Sequence, residues 1–429
     1  MEQRVVSPIR QREGPPPSVS RPLKIAHLLY FTPPFMSGYT VRSRYILQEQ
    51  TKAGIGVVAV SHPVMMSLGA AGTDRFDGVD YRRLRGKGPL IARLRKRLLG
   101  RDEWVVGAMA REILPILREI APDLLHAHSP HVMGRLAEAA GRRLDLPVVY
   151  EMRGIWEDSG VATGKFAEGS AAYDRWRRLE TSAARSAQVV VAISRGIKDD
   201  LAARGIEDGK IHVVPNGADP PPEIGDPDPA LAGRHGLAGR FVIGYAGTLW
   251  KVEGLNLLVD AFARLVPRRP EAALLFVGDG ASRRDLEEQA RRLGIAGRVV
   301  FTGRVGHEEI WEYYKLMDVL VVPRPSTRVS ERVTPIKPLE AMGAGRAVLV
   351  SRVGGLTELV REGTTGLAFA PGDPDDCARR LDQLAGDPLL RRRLGENARA
   401  WILEERTWTR VVAGYAEVYE RALGAERSA

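Results

Sequence analysis

The stretch SERVTPIKPLEAMGAG, residues 330–345, packs two carboxylates and an ammonium around a proline-interrupted loop that runs into a helix of small residues. A carboxylate at Glu340, where that helix begins, can accept hydrogen bonds from two vicinal hydroxyls such as a ribose presents, while free N–H groups of the loop can meet phosphates. The plain alternative for Glu340 is a first-turn residue favoured by the helix dipole. Elsewhere glycine follows an apolar run and precedes a helical one: Ser37-Gly38 after PPFM, Gly247-Thr248 after VIGYA, and Gly278-Asp279-Gly280 after LLFV. Such turns offer backbone N–H groups to an anion, and tight turns alone need glycine as often. None completes GxGxxG or GxxxxGK[ST], which sets aside the dinucleotide-oxidoreductase and P-loop readings.

In the first half, DLLHAHS carries His126 and His128, which are expected to point to opposite faces of a strand, so that only one faces a cleft. YEMRGIWEDSG places polar residues directly after an apolar run. Arg153 and Glu157 are therefore candidate substrate contacts, with a salt bridge inside the loop as the equal alternative. Ser194 is expected to cap a helix, and the turn at Asn216-Gly217 to act as a hinge.

These residues must be positioned by a βα series. From Leu23 short apolar runs alternate with amphipathic stretches, and a second such series begins near Arg240. The strand candidates are too rich in Val, Leu and Phe to alternate, as expected of parallel strands buried on both faces. The expectation is an α/β chain of two Rossmann-like domains with the site in the cleft between them. The boundaries are a disordered leader over 1–22, a first domain over 23–215, a proline- and glycine-rich linker over 216–237, a second domain over 238–400, and a terminal helix over 401–423 that caps the second domain or packs back toward the first.

Composition fits this reading. A chain of 429 residues, 44% hydrophobic and 27% charged, has ample material for two cores. The single cysteine, Cys377, excludes an internal disulfide and thiolate zinc clusters. No apolar run approaches the roughly 20 residues of a membrane-spanning helix. The net charge of +10 points to an anionic partner. The run from Tyr81 to Arg101 contains no acid and repeats leucine and isoleucine at helical intervals, which suits an amphipathic helix on an anionic membrane or one packed on its own domain.

Taken together, HLLYFTPPFMSGYTVRSRYIL, DLLHAHSP, VVYEMRGIWED, PRPSTR and ERVTPIKPLEAM resemble the retaining family-4 glycosyltransferases of the GT-B fold over nearly the whole chain. Within that family the motifs are most similar to the glycosyltransferases of exosortase-associated exopolysaccharide loci. The resemblance implies transfer of a sugar from a nucleotide-diphosphate sugar to a glycan or lipid-linked glycan, on the cytoplasmic side of a bacterial membrane, with no cofactor, no metal and no nucleic-acid partner. It implies that Glu340 holds the nucleotide ribose and Glu331 approaches the donor sugar, although eight residues separate them where seven is usual, which places Arg332 at the strict position. It assigns His128 to the donor sugar and Gly38, followed by Tyr39 and Arg42, to the loop that closes on donor and acceptor. Gly247, Thr248, Arg304, Pro335 and Ile336 fall in its donor-binding segments. The family's basic pair near the diphosphate is replaced here by Thr248 and Glu253, which leaves Arg324, Arg328 and Lys337 to supply the counter-charge a leaving diphosphate needs. The alternatives are a nucleotide-sugar epimerase of the same fold and a non-enzymatic basic protein that binds polyanions or membranes.

Overall fold

The computed structural model describes residues 22–63, 72–84, 102–221, 223–306 and 309–424. The expected leader therefore lies outside the described residues, apart from its last position.

The apolar runs become two sheets. In the first half, β1 (Lys24–Leu29), β2 (Gly56–Ser61), β3 (Thr73–Phe76), β4 (Val79–Arg83), β5 (Leu124–His128), β6 (Val148–Met152), β7 (Val189–Ala192) and β8 (Ile211–Val213) form a sheet ordered β3-β4-β2-β1-β5-β6-β7-β8. All neighbours pair in parallel except β3 with β4. That hairpin is not legible as an apolar run, because at this edge burial alternates along both strands and one face stays wet. It also corrects part of the basic-helix expectation: Tyr81, Arg82 and Arg83 are strand, and Arg83 is buried against Asp74. Residues 85–101 of that run lie outside the described residues.

In the second half, β9 (Phe241–Ala246), β10 (Ala272–Val277), β11 (Val299–Phe301), β12 (Val319–Val322), β13 (Ala347–Ser351) and β14 (Leu367–Phe369) form an all-parallel sheet ordered β11-β10-β9-β12-β13-β14. Strand order reverses between β1 and β5 in the first sheet and between β9 and β12 in the second. Adjacent connections there leave to opposite faces and open a crevice at the carboxyl ends of the strands. The residues after β1 and β5 thus meet at one switch point, and those after β9 and β12 at the other.

The chain crosses between the sheets twice, and the crossings touch. Ala218 donates to the carbonyl of Arg406, and Trp408 donates to the carbonyl of Ala218. Gly217 sits in this contact, where a Cβ would lie 2.8 Å from the Arg406 oxygen. The expected linker contains a short helix, Pro229–Arg234. After the helix Pro388–Trp401, whose Trp401 belongs to the second core, the helices Trp408–Ala413 and Tyr415–Gly424 lie on the first sheet. There Trp408, Tyr415 and Tyr419 pack with Ile25, Ile46, Leu124, Val149 and Val191. Among the described residues no helix is long and apolar enough to cross a membrane.

Candidate active site

The second switch point gathers charge. Gly247 follows β9 with φ +138, and a Cβ there would fall 2.2 Å from Cε of Lys337, so the turn and the lysine approach only because the residue is glycine. Lys337 opens the helix Lys337–Gly343 and donates to Glu253 Oε1 at 2.8 Å. Arg324, just beyond β12, grips the same carboxylate at two points, 3.0 and 3.1 Å. Burial alone would raise the pKa of Glu253, but Arg324 and Lys337 hold it down to about 2. Burial lowers the pKa of Lys337 against the pull of Glu253. Two cations therefore share one anion beneath the turn, and the cluster keeps one positive charge. Arg324 and Lys337 thus come together on one carboxylate. Arg328 does not join them: partly exposed, it reaches across to the first domain, 3.1 Å from Asp158 and 3.3 Å from Glu168.

Glu340 lies one turn beyond Lys337 on the same helix and accepts from the buried hydroxyl of Tyr314 at 2.7 Å. Pro335 is buried and Ile336 packs against the cluster that holds Trp408. Thr248 is exposed next to Gly247. The turns after β9, β10 and β11 are tied in a row, Gly247 N to Val277 O at 2.8 Å and Gly278 N to Gly303 O at 3.0 Å, and Arg304 stands exposed at its far end. Glu331, in the helix Arg328–Arg332, accepts from Ser326 Oγ at 2.6 Å and from Gly354 N at 2.7 Å. Neighbouring Arg332 turns instead toward Asp158 and Asp200 of the first domain. A cleft of about 720 Å³ runs between the domains here, lined by Asp158, Gly196, Ser326, Arg328, Glu331 and Arg332.

At the first switch point, Gly38 is exposed at the start of the helix Gly38–Lys52, capped by Ser37, whose hydroxyl and that of Thr40 close a capping box. Ser194 caps its helix as expected. Arg153, after β6, donates to Tyr39 O at 3.1 Å and Ser43 Oγ at 2.6 Å, with its guanidinium 4.7 Å over the Tyr39 ring. The Tyr39 hydroxyl donates to Ser129 O at 2.5 Å.

Three expectations need correction. Residues two apart on a strand share a face, so His126 and His128 point the same way, with ring centroids 4.1 Å apart. His128 is fully buried with both nitrogens engaged, Nδ1 by Arg153 at 2.6 Å and Nε2 by His27 at 3.0 Å. Arg42, 2% exposed, lies inside the first domain and donates to Glu151, Val214 O, Asn216 and the Tyr415 hydroxyl. Glu157 is likewise internal: it lies in the first turn of the helix Trp156–Ala162 and meets Arg204, at the end of the helix Arg195–Ala203, at 2.5 Å, so it is salt-bridged, though not within its own loop.

Sequence reasoning passed over His27, Gln50, Tyr415 and Tyr419, all buried around Glu151 and the histidines. A signal was present: His27 is a polar residue in an apolar strand, in register with His126 across β1 and β5. His27, His126 and His128 come close enough together to hold a metal ion. However, they hydrogen-bond within the protein, and Arg42 and Arg153 already place two positive charges on Glu151. A divalent ion would add uncompensated charge to a buried site, a cost of several kcal/mol, so no metal chemistry is assigned to them.

Comparison with known proteins agrees with this architecture. Residues 36–221 match the model described as Glycosyltransferase Family 4, and residues 232–401 the model described as Glycosyl transferases group 1. The 2-deoxystreptamine glucosyltransferase of Streptomyces kanamyceticus is 31% identical over 360 residues, covering 79% of this chain and 88% of that protein. Among solved structures, sucrose-phosphate synthase from Thermosynechococcus elongatus superposes with a TM-score of 0.75 at 21% identity, over 94% of this chain and all of that one. Anabaena HepE in complex with UDP-glucose superposes with a TM-score of 0.71 at 19% identity, over 93% and 99%. These matches overturn the non-enzymatic alternative, and they name transferases rather than epimerases. The chain belongs to the group 1 and family 4 glycosyltransferases of the GT-B fold.

Proposed function

We propose that the protein is a retaining glycosyltransferase that moves a sugar from a nucleotide-diphosphate sugar to a polysaccharide or lipid-linked oligosaccharide in exopolysaccharide synthesis, with neither metal nor cofactor. The observation that carries the reading is Lys337 pressed against the Gly247 turn, with Arg324 sharing its carboxylate partner Glu253. A diphosphate leaving group builds up negative charge as the glycosidic bond breaks, and preorganised cations at that point lower the barrier. In this scheme Glu340 holds the ribose hydroxyls, Glu331 orients the donor sugar, and the exposed N–H groups at Gly38 meet the diphosphate from the other side. The acceptor hydroxyl attacks from the face the diphosphate leaves and gives up its proton to a diphosphate oxygen, so configuration is kept. The UDP-glucose named for the Anabaena structure supports a nucleotide-sugar donor. The resemblance to exosortase-associated enzymes supports a bacterial enzyme working on the inner membrane face, touched through the basic run 85–101.

The test is thermal stabilisation across UDP-, GDP-, ADP- and dTDP-sugars, since a ligand of the native state raises its stability by mass action. A selective shift identifies base and sugar together. No shift with any nucleotide sugar would sink the donor assignment.

A further inference from the structure

Seven side chains form a ring on the first sheet, linked by six hydrogen bonds and closed by one longer contact between His126 and Glu151. Arg153 Nη2 meets His128 Nδ1 at 2.6 Å, His128 Nε2 meets His27 Nδ1 at 3.0 Å, and His27 Nε2 meets Gln50 Oε1 at 2.8 Å. Gln50 Nε2 then donates to the Tyr419 hydroxyl at 2.7 Å, and that hydroxyl meets His126 Nδ1 at 2.9 Å. His126 Nε2 faces Glu151 Oε2 at 3.4 Å, and Arg153 Nε donates to Glu151 Oε1 at 2.6 Å.

The chemistry of each member dictates the next. A guanidinium can only donate, so Nδ1 of His128 accepts and its proton sits on Nε2. That proton goes to Nδ1 of His27, whose own proton must then sit on Nε2 and go to the Gln50 carbonyl. The Gln50 amide end is left facing Tyr419, which receives its proton and passes its own to Nδ1 of His126. The remaining proton of His126 lies on Nε2, toward Glu151. Turning the Gln50 amide around would require His128 to accept at both nitrogens, which a neutral imidazole cannot do. Burial first, with Arg153 adding to it, holds His128 well below its ordinary pKa, and burial lowers His27 and His126 too, so the rings are neutral.

Tyr419 belongs to the last helix, Tyr415–Gly424, which reaches this network only because the chain crosses back to the first sheet. The output of the ring is Arg153, held on the first turn of the Gly38 helix through Tyr39 O and Ser43 Oγ. We propose that Gln50 and Tyr419 are positioning residues: through this ring they fix the protons on His27, His126 and His128 and hold Arg153 against the Gly38 turn, so the terminal helix governs an anion site it does not touch. The last step rests on reading the Gly38 turn as a diphosphate contact.

The experiment uses the full chain labelled with ¹⁵N-histidine. Long-range ¹H–¹⁵N correlation near neutral pH reads which nitrogen carries the proton, with resonances assigned from single histidine variants. His27, His126 and His128 should each show a protonated Nε2 and a bare Nδ1. A proton on Nδ1 of any of the three, or an imidazolium, overturns the ring whatever the protein catalyses. In Tyr419→Phe the ring stays packed but the proton to His126 is lost, so the Nδ1 signal of His126 should move while His128 keeps its tautomer. Calorimetric titration with UDP and with GDP then tests the positioning. Wild type should bind one of them, and Tyr419→Phe should bind it at least fivefold more weakly, whereas a tyrosine that only fills space would be replaced by phenylalanine without loss. Equal affinity in the two proteins would overturn the positioning role. If wild type binds neither nucleotide, the donor reading and with it the link to the Gly38 turn fall, and the ring is judged by the spectrum alone. Should Tyr419→Phe not fold, Gln50→Glu still accepts from His27 and draws the tyrosine proton to itself, freeing His126 Nδ1 with the same spectral and binding signatures.

Discussion

Replacing Glu253 by glutamine takes one charge from a cluster of three and probes the Gly247 turn most directly. Arg324 grips the carboxylate at two points and Lys337 at one, and the side chain is 8% exposed. Burial would raise its pKa, yet the two cations bring it from 4.5 to about 2. At about 1.4 kcal/mol per pH unit, that shift corresponds to about 3 kcal/mol favouring the anion in the folded protein. Because folding depresses this pKa, the contribution is complete above about pH 4.5 and is lost as pH falls toward about 2. Glu253→Gln should therefore destabilise the second domain by about 3 kcal/mol at pH 7, or ~6–12 °C in its melting temperature at ~2–4 °C per kcal/mol. The deficit should shrink in acid. Ligand binding should move the other way, since the cluster rises from one net positive charge to two. A unit charge ~4 Å from a phosphate is worth ~1 kcal/mol in water and ~4 near a protein surface, so nucleoside diphosphate affinity should rise at least about fivefold. Scanning calorimetry at pH 7 and pH 3.5 measures the first effect, and calorimetric titration with UDP and GDP the second. An unchanged melting temperature, or weaker nucleotide binding by the variant, would refute the claim that Glu253 restrains two cations reserved for the diphosphate.

Glu340→Ala should weaken donor binding by about 1.5–3 kcal/mol, the worth of hydrogen bonds to a charged acceptor; an unchanged dissociation constant for the stabilising nucleotide sugar rejects the ribose assignment. Stability should fall as pH drops below about 6.5, because His27, His126 and His128 have lowered pKa values and the unfolded chain binds protons the native state refuses. Each contributes about 1.4 kcal/mol per pH unit until its folded pKa is reached. A melting-temperature profile for His27→Gln that runs parallel to wild type between pH 6.5 and 5 would contradict this. If residues 85–101 touch anionic lipid, replacing Arg93, Arg95, Lys96 and Arg97 with glutamine should abolish co-sedimentation with acidic vesicles while sparing transfer to a water-soluble acceptor. Wild-type protein that ignores such vesicles at low salt would remove the membrane contact.

The parallel architecture was legible in the chain because strands buried on both faces read as apolar runs rich in Val, Leu and Phe, and β7, β9, β10, β12 and β13 carry that mark. The cap at Ser194 was equally local, a hydroxyl before a helical period. The β3–β4 hairpin was not, since its alternating pattern is what one wet face produces. At the site, residue type announced the chemistry of Glu340, Lys337 and Arg324, but not that Lys337 would sit under Gly247 or that Arg328 would leave for Asp158. Arg42 and Glu157 look like substrate contacts until the helices that carry them are packed, and then each faces an internal partner of opposite charge. The contact between Gln50 and Tyr419 spans 369 positions of the chain. Periodicity and capping act over a few residues and are written in spacing. Which buried polar groups share a proton depends on strand order and on where the chain crosses back, and those are decided only when the two sheets and the last helix pack.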